Sequence, residues 1–267
     1  MRDERLNALS YEARGLIFDT HNALRVGWPE EAYHQGLIRL LQARNIPYLS
    51  KPRKALMHRG VEADMFESDI ILDDLLILEL KVLPYTKFAG AHFAQIMHYL
   101  KIWQYELGLL VNFGPLRAEI KRVVWHEPEP DVFENYDEIR PSLNKAERAI
   151  LKGVRQSILE VHQHHGLGYP GTTYRRLLAV ELAFNGIPYR SDVVVQASLA
   201  GQMLSRHTND HLLVADTVLV SIGALTLFPP KYEFARTKTF LNSLGLRLGL
   251  IVNFGKKQLQ IYGVVPD

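Results

Sequence analysis

Asp69-Ile70-Ile71-Leu72-Asp73-Asp74-Leu75-Leu76-Ile77-Leu78-Glu79-Leu80-Lys81 is the stretch on which the reading of the chain turns. Two short apolar runs flank the acidic pair Asp73-Asp74, which reads as two strands joined by a tight hairpin turn. Side chains alternate across a strand, so Glu79 and Lys81 share one face while Leu80 takes the other. A carboxylate and an ammonium at the end of an apolar strand are costly to bury without partners. The hairpin lets Asp69, at the start of the first strand, lie close to both. Two oxygen ligands for a hard cation and one amine able to orient or deprotonate a water would then share one place. A plain ion pair on an exposed strand is the competing reading.

Around this stretch, 267 residues leave room for one large domain or two ordinary ones. A hydrophobic content of 47% with 22% charged residues suits a globular protein with ample core. No apolar run approaches the roughly 18 residues of a membrane span, so no membrane partner is expected. The charged start Met1-Arg2-Asp3-Glu4-Arg5 lacks an apolar signal segment, which points to a cytoplasmic location. Absence of cysteine removes disulfides, thiolate zinc sites and cysteine nucleophiles together.

Tyr11 to Leu24 has helical apolar spacing and should stop before Gly27. Trp28-Pro29-Glu30-Glu31 opens a second helix, expected to run to about Arg44. Strands are expected within 48–58 and 67–82, then a helix from Phe88 to Tyr105. A buried strand at Leu107–Phe113 and an alternating one at Glu119–Trp125 follow. The class is α/β or α+β. Residues 127–142 are acidic and proline-bearing, which suits a linker between domains at 1–126 and 143–267.

After the linker the chain begins again. At a constant offset of 141 residues, His21 recurs as His162, Gly27 as Gly168, Tyr33 as Tyr174 and Ile46-Pro47-Tyr48 as Ile187-Pro188-Tyr189. Gly60 recurs as Gly201, Asp69 as Asp210, and Asn112-Phe113-Gly114 as Asn253-Phe254-Gly255. This is a tandem duplication of a whole domain. The polar residues were not kept: Glu30 becomes Gly171, Gln95 becomes Arg236 and Tyr99 becomes Phe240. Glu79 and Lys81 fall opposite Val220 and Ile222, or opposite Ser221 and Gly223 if the strand slips by one residue. Charge divides likewise, with 17 Lys+Arg against 21 Asp+Glu in residues 1–142 and 14 against 8 in the remainder. A basic second half suits phosphate contacts, or is an ordinary drifted surface.

Asp69, Glu79 ten residues on and Lys81 two further, on a hairpin followed by a helix, resemble the PD-(D/E)xK nuclease superfamily. The likeness extends to its GxxExxY subgroup through Gly27-Trp28-Pro29-Glu30-Glu31-Ala32-Tyr33. His58-Arg59-Gly60-Val61, Glu79-Leu80-Lys81, His92-Phe93-Ala94-Gln95, Tyr99-Leu100-Lys101 and Leu107 to Gly114 match further motifs in order. The resemblance covers roughly residues 12–125, and the second copy departs from it at the site.

The resemblance implies two tandem restriction-endonuclease-like α/β domains, each a mixed central sheet flanked by helices, packed as an intramolecular pseudo-dimer that is monomeric in solution. It implies a nuclease acting on nucleic acid, DNA ahead of RNA. Asp69 and Glu79 would hold Mg²⁺ (or Mn²⁺), Lys81 would orient the attacking water, and Glu30 could reach the metal through water. Gln95 could bond that water or a phosphate, with Tyr99 one turn on sharing its face. His58, Arg59 and Tyr99 are candidate substrate contacts; His58 and Arg59 read equally as a solvated strand end. Tyr33 and Asn112-Phe113-Gly114 recur where the site is lost, so they read as structural. His162, His164 and His165 have no carboxylate cluster beside them and read as ordinary residues rather than metal ligands. A nucleic-acid-binding or protein-interaction module that keeps the fold without turnover is the alternative.

Overall fold

A computed structural model describes residues 2–85 and 87–267. It forms two compact units: residues up to Leu56 with Met65–His126, and Met57–Asp64 with Glu127–Asp267. Among the described residues, no helix is long and apolar enough to cross a membrane.

The first repeat runs α1 (Arg2–Leu24), α2 (Glu30–Ala43), β1 (Tyr48–Ser50), β2 (Arg53–His58), β3 (Val61–Glu67), β4 (Ile70–Leu72), β5 (Leu76–Lys81), α3 (Gly90–Trp103), β6 (Leu107–Asn112) and β7 (Glu119–Val124). The sheet has the order β1-β4-β5-β6-β7, with β5 and β6 parallel and the other pairs antiparallel. Parallel neighbours need a crossover, and α3 supplies it. The anticipated hairpin is present: Leu72 pairs with Leu76 across a three-residue loop in which Asp73 and Asp74 take positive φ (51° and 50°).

Two elements differ from expectation. Helix α1 begins at Arg2 rather than Tyr11, because Leu9, Ala13, Leu16 and Ile17 extend one buried stripe and Asp3 and Glu4 favour its N-terminal end. Residues 53–67 form a separate β2–β3 hairpin outside the main sheet, with Arg59 and Gly60 in its turn at φ 50° and 79°.

The second repeat follows the same plan: α4 (Lys145–His165), α5 (Gly171–Phe184), β9 (Tyr189–Arg190), β10 (Val194–Leu199), β11 (Gln202–Thr208), β12 (Leu212–Val214), β13 (Val218–Ala224), α6 (Lys231–Leu244), β14 (Leu248–Phe254) and β15 (Leu259–Val264). Residues 127–142 are more than a tether. They contain β8 (Val132–Asn135), which pairs with β15, so the sheet order is β8-β15-β14-β13-β12-β9. Phe133 packs on Tyr262 at 5.5 Å between ring centroids, and Arg155 holds Glu134 through two hydrogen bonds of 2.7 and 2.6 Å.

What the repeats share is what packs. Tyr33 stacks on Phe113 at 4.6 Å, and Tyr174 stacks on Phe254 at 3.7 Å. Each tyrosine hydroxyl donates to a backbone oxygen eight residues earlier, Arg25 at 2.6 Å and Gly166 at 2.7 Å. Buried Asn112 holds the loop after β5: its Oδ1 accepts from Leu83 N (2.8 Å) and Gly114 N (3.0 Å), and its Nδ2 donates to Tyr85 O (2.8 Å). A Cβ on Gly114 would lie 1.9 Å from Leu83 O, whereas on Gly255 it would lie 2.9 Å from Thr226 O. Gly114→Ala should therefore destabilise the first repeat by roughly 3 kcal/mol or more, and Gly255→Ala the second by less. Urea unfolding of both variants checks the order; equal losses would remove the close approach as the cause.

Candidate active site

Antiparallel pairing of β4 with β5 sets the site. Ile70 lies opposite Leu78, so one step outward Asp69 stands opposite Glu79, with both side chains on one face. The alternate residues Leu76, Leu78 and Leu80 enter the core shared with α1 and α2. The other face turns to α3, where Gly108 on β6 is small because Ile96 fills the space a Cβ would take. Glu79 is 1% exposed. Its Oε1 accepts from Lys81 Nζ at 2.5 Å, and its Oε2 is buried with no hydrogen-bond partner among the described residues. Asp69 Oδ2 accepts from Leu80 N at 2.7 Å, which fixes it beside the strand end.

Electrostatics bind the remaining candidates to this pair. Burial, and then the charge of Asp69, push the Glu79 carboxyl up to about 8 against the opposing pull of Lys81. For Lys81, burial favours the neutral amine, but Glu79, Glu30 and Asp69 outweigh it and raise the ammonium's pKa. Glu30, at the first position of α2, is raised by burial, with Lys81 opposing and Asp69 adding. Tyr99 is pushed up to about 12 by burial and by Glu79, and its hydroxyl accepts from Gln95 Nε2 at 3.0 Å. Asp69, Glu79, Lys81, Glu30 and Tyr99 thus sense one another, and Gln95 joins through Tyr99.

His58 and Arg59 are not in this cluster. They belong to the second compact unit, where His58 Nε2 lies 2.8 Å from Glu181 and Arg59 Nε donates to the same carboxylate at 2.7 Å. Glu181 is itself buried, so the carboxylate that faces both residues belongs to the packing of α5. Two other residues escaped the sequence reading. Buried His34 sits 3.3 Å from both Asp69 O and Ser50 Oγ and supports the backbone at the site. Lys51 N donates to Asp69 O at 2.8 Å, and its ammonium, paired with Glu31 at 2.6 Å, acts on Glu30. The signal was available, since Lys51 has Asp192 as its counterpart and His34 has Arg175.

The second repeat shows the same place without the cluster. Leu107 aligns with Leu248, 141 residues on, but pairing places Leu76 beside Leu107 and Val218 beside Leu248, so β5 and β13 correspond at 142. Ser221 therefore replaces Glu79 and Gly223 replaces Lys81. Leu212 pairs with Val220, so His211, not Asp210, stands opposite Ser221 in the place of Asp69. The constant offset fails here because one residue is inserted before β12. Asp210 instead meets Arg236 at 3.1 Å, and Arg236 meets Glu233 at 2.9 Å, beside a cavity of about 220 Å³. His211 first, and Arg236 next, hold the Asp210 carboxyl well below the usual range although burial opposes them.

Among the described residues, no three His, Cys, Asp or Glu side chains converge as a ready metal cage. The chemistry of the pair still fits a divalent cation: two crowded carboxylates, one with an unpartnered buried oxygen. Without metal, that crowding has a cost that depends on pH. The folded state keeps the Glu79 proton to about pH 8, while the unfolded chain releases it near 4.5. The folded state then binds more protons between these values, so stability falls as pH rises through the window. The melting temperature in chelator should drop between pH 5 and 8.5, and Glu79→Gln should remove most of a loss on the order of a few kcal/mol. Parallel pH profiles for the two proteins would exclude this origin.

No curated protein matches the chain. The crystal structure of SSO0001 is similar at 20% identity with a TM-score of 0.29, over 35% of this chain and 48% of its own; the chain thus spans about half the length of that structure. The sequence profile of the PD-(D/E)XK nuclease superfamily matches residues 7–123 and again 148–262. Both repeats are covered, and the chain belongs to the PD-(D/E)XK nuclease superfamily.

Proposed function

We propose that the first repeat is a metal-dependent nuclease that hydrolyses phosphodiester bonds of nucleic acid, DNA ahead of RNA, and that the second repeat does not cleave. One observation supports this above the others. The same scaffold occurs twice, and only the first holds Asp69, Glu79, Lys81 and Glu30, whose counterparts are His211, Ser221, Gly223 and Gly171.

The namesake motif supports placement in the GxxExxY subgroup and separates its own roles. Gly27 and Gly168 both take φ near the left-handed side (106° and 111°), where glycine is favoured, and Tyr33 and Tyr174 both stack in the core. Of the motif's three defined residues, glycine, glutamate and tyrosine, only the glutamate differs between the copies, as Gly171. Glycine and tyrosine serve the fold, and Glu30 serves the site.

Asp69 and Glu79 are the residues that would hold Mg²⁺ or Mn²⁺, which when bound polarises a scissile phosphate and acidifies a water. Lys81 keeps its proton at neutral pH because its carboxylate neighbours raise its pKa. It therefore donates to the attacking water or to a phosphoryl oxygen and is not the base. Glu30, whose carboxyl pKa is raised by burial and senses both Lys81 and Asp69, would accept from water at the same end of β5. Gln95 and the neutral Tyr99 hydroxyl offer hydrogen bonds to substrate from α3. Loss of the Glu79 proton is required before that carboxylate can take a cation, so cleavage should rise with pH toward about 8.

A supercoiled plasmid with Mg²⁺ tests the reading. With one cluster per chain, nicked circles should precede linear product, and Asp69→Ala and Lys81→Ala should each reduce nicking by about 100-fold or more. DNA binding should persist in both variants. Nicking that is unchanged in either would remove that residue from the site, and binding without any nicking in the wild type would leave a non-cleaving nucleic-acid module.

A further inference from the structure

The second compact unit contains an anchored hairpin tip, and the chain contains a matching tip that is bare. Within that unit, residues 57–64 lie on α4 and α5. His58 Nε2 is 2.8 Å from Glu181, and His58 Nδ1 is 2.9 Å from His165 Nε2. The Arg59 guanidinium lies 4.7 Å from the Phe184 ring centroid. Asp64 pairs with Arg176 and accepts from Thr173 Oγ1 at 2.5 Å. The equivalent tip joins β10 to β11. Its turn residues Ala200 and Gly201 repeat the φ values of Arg59 and Gly60, 50° and 78°. Leu199, Met203 and Leu204 there are 69%, 53% and 64% exposed.

Each half of the anchored contact changes in step with the other. His58 becomes Leu199, while its two partners Glu181 and His165 become Leu40 and Leu24. Arg59 and Phe184 become Ala200 and Ala43. Asp64 and Arg176 become Ser205 and Gln35, a charged pair replaced by a neutral polar one. Leu24 and Leu40 are partly buried on the α1–α2 pair, which corresponds to α4–α5. Independent drift would have left a histidine facing leucine or a leucine facing glutamate. A buried unpaired carboxylate is strongly disfavoured, so each tip fits only its own helix pair.

We propose that the tip from Leu199 to Ser205 docks on the α1–α2 face of a second copy of this chain, with Leu199 against Leu40 and Leu24. The joint is head-to-tail, so it links copies through two different surfaces.

The absence of cysteine makes the test direct. Leu199→Cys and Leu40→Cys are purified separately, mixed and mildly oxidised. A disulfide-linked dimer forming in the mixture, well above the yield of either variant alone, supports the joint; equal yields overturn it. With both cysteines on one chain at high dilution, a cross-link confined to single chains also overturns it. Sedimentation gives a second readout. Leu40→Glu should weaken self-association at least about 10-fold, and adding Leu199→His should restore it by remaking the observed type of pair. Association unaffected by Leu40→Glu, or not rescued by the double variant, argues against the contact.

Discussion

Parallel pairing of β5 with β6 is the constraint on which the rest depends. A strand so placed is covered on both faces and must be apolar along its length, as Leu76 to Leu78 and Leu107 to Val111 are. Charge can enter only where the cover ends, and Glu79 and Lys81 occupy that position. Asn112 finishes β6 and ties down the loop leaving β5, so the strand end cannot fray away from Asp69. The chemistry is held by the same hydrogen bonds that close the fold.

The two repeats share that constraint and differ in what stands on it. Ser221 is almost as buried as Glu79, and it needs no counter-charge. On the carboxylate side, Arg236 lies within hydrogen-bonding or ion-pair distance of Asp210 and Glu233, a fixed guanidinium beside two acids. The first repeat keeps two acids of its own facing a lysine, an arrangement that raises the Glu79 carboxyl to about 8 and leaves one oxygen unpartnered. Tension of this kind is out of place in a purely structural core and common where a ligand relieves it.

Much of this was legible in the sequence. The hairpin, the crossover helix, the duplication and the coincidence of Asp69 with Glu79 and Lys81 follow from apolar period and spacing. One difference comes from register, which is a property of pairing and not of sequence distance. A single inserted residue before β12 made Asp210 look like the counterpart of Asp69, whereas His211 is. The roles of His58 and Arg59 were equally hidden, since a basic strand end reads the same whether it meets phosphate or the carboxylate of Glu181. Residues 132–135 show the converse: inside an acidic, proline-bearing stretch they pair with β15, and Phe133 packs on Tyr262.

Duplication explains how such changes are tolerated. A single domain must satisfy folding, catalysis and contact with one set of residues. Two copies let each requirement relax in one place, and the relaxations can be told apart because they are of different kinds. Loss of Glu79 and Lys81 in the second repeat removes charge without altering the stacked Tyr174–Phe254 core. The change from His58 with Glu181 to Leu199 with Leu40 exchanges one complementary chemistry for another, at positions far apart in the chain. The first kind leaves the packed core in place and removes only a polar cluster, as the proposed division of labour between the repeats requires. The second kind, a matched change on both sides, is what the proposed docking of Leu199 on Leu40 accounts for.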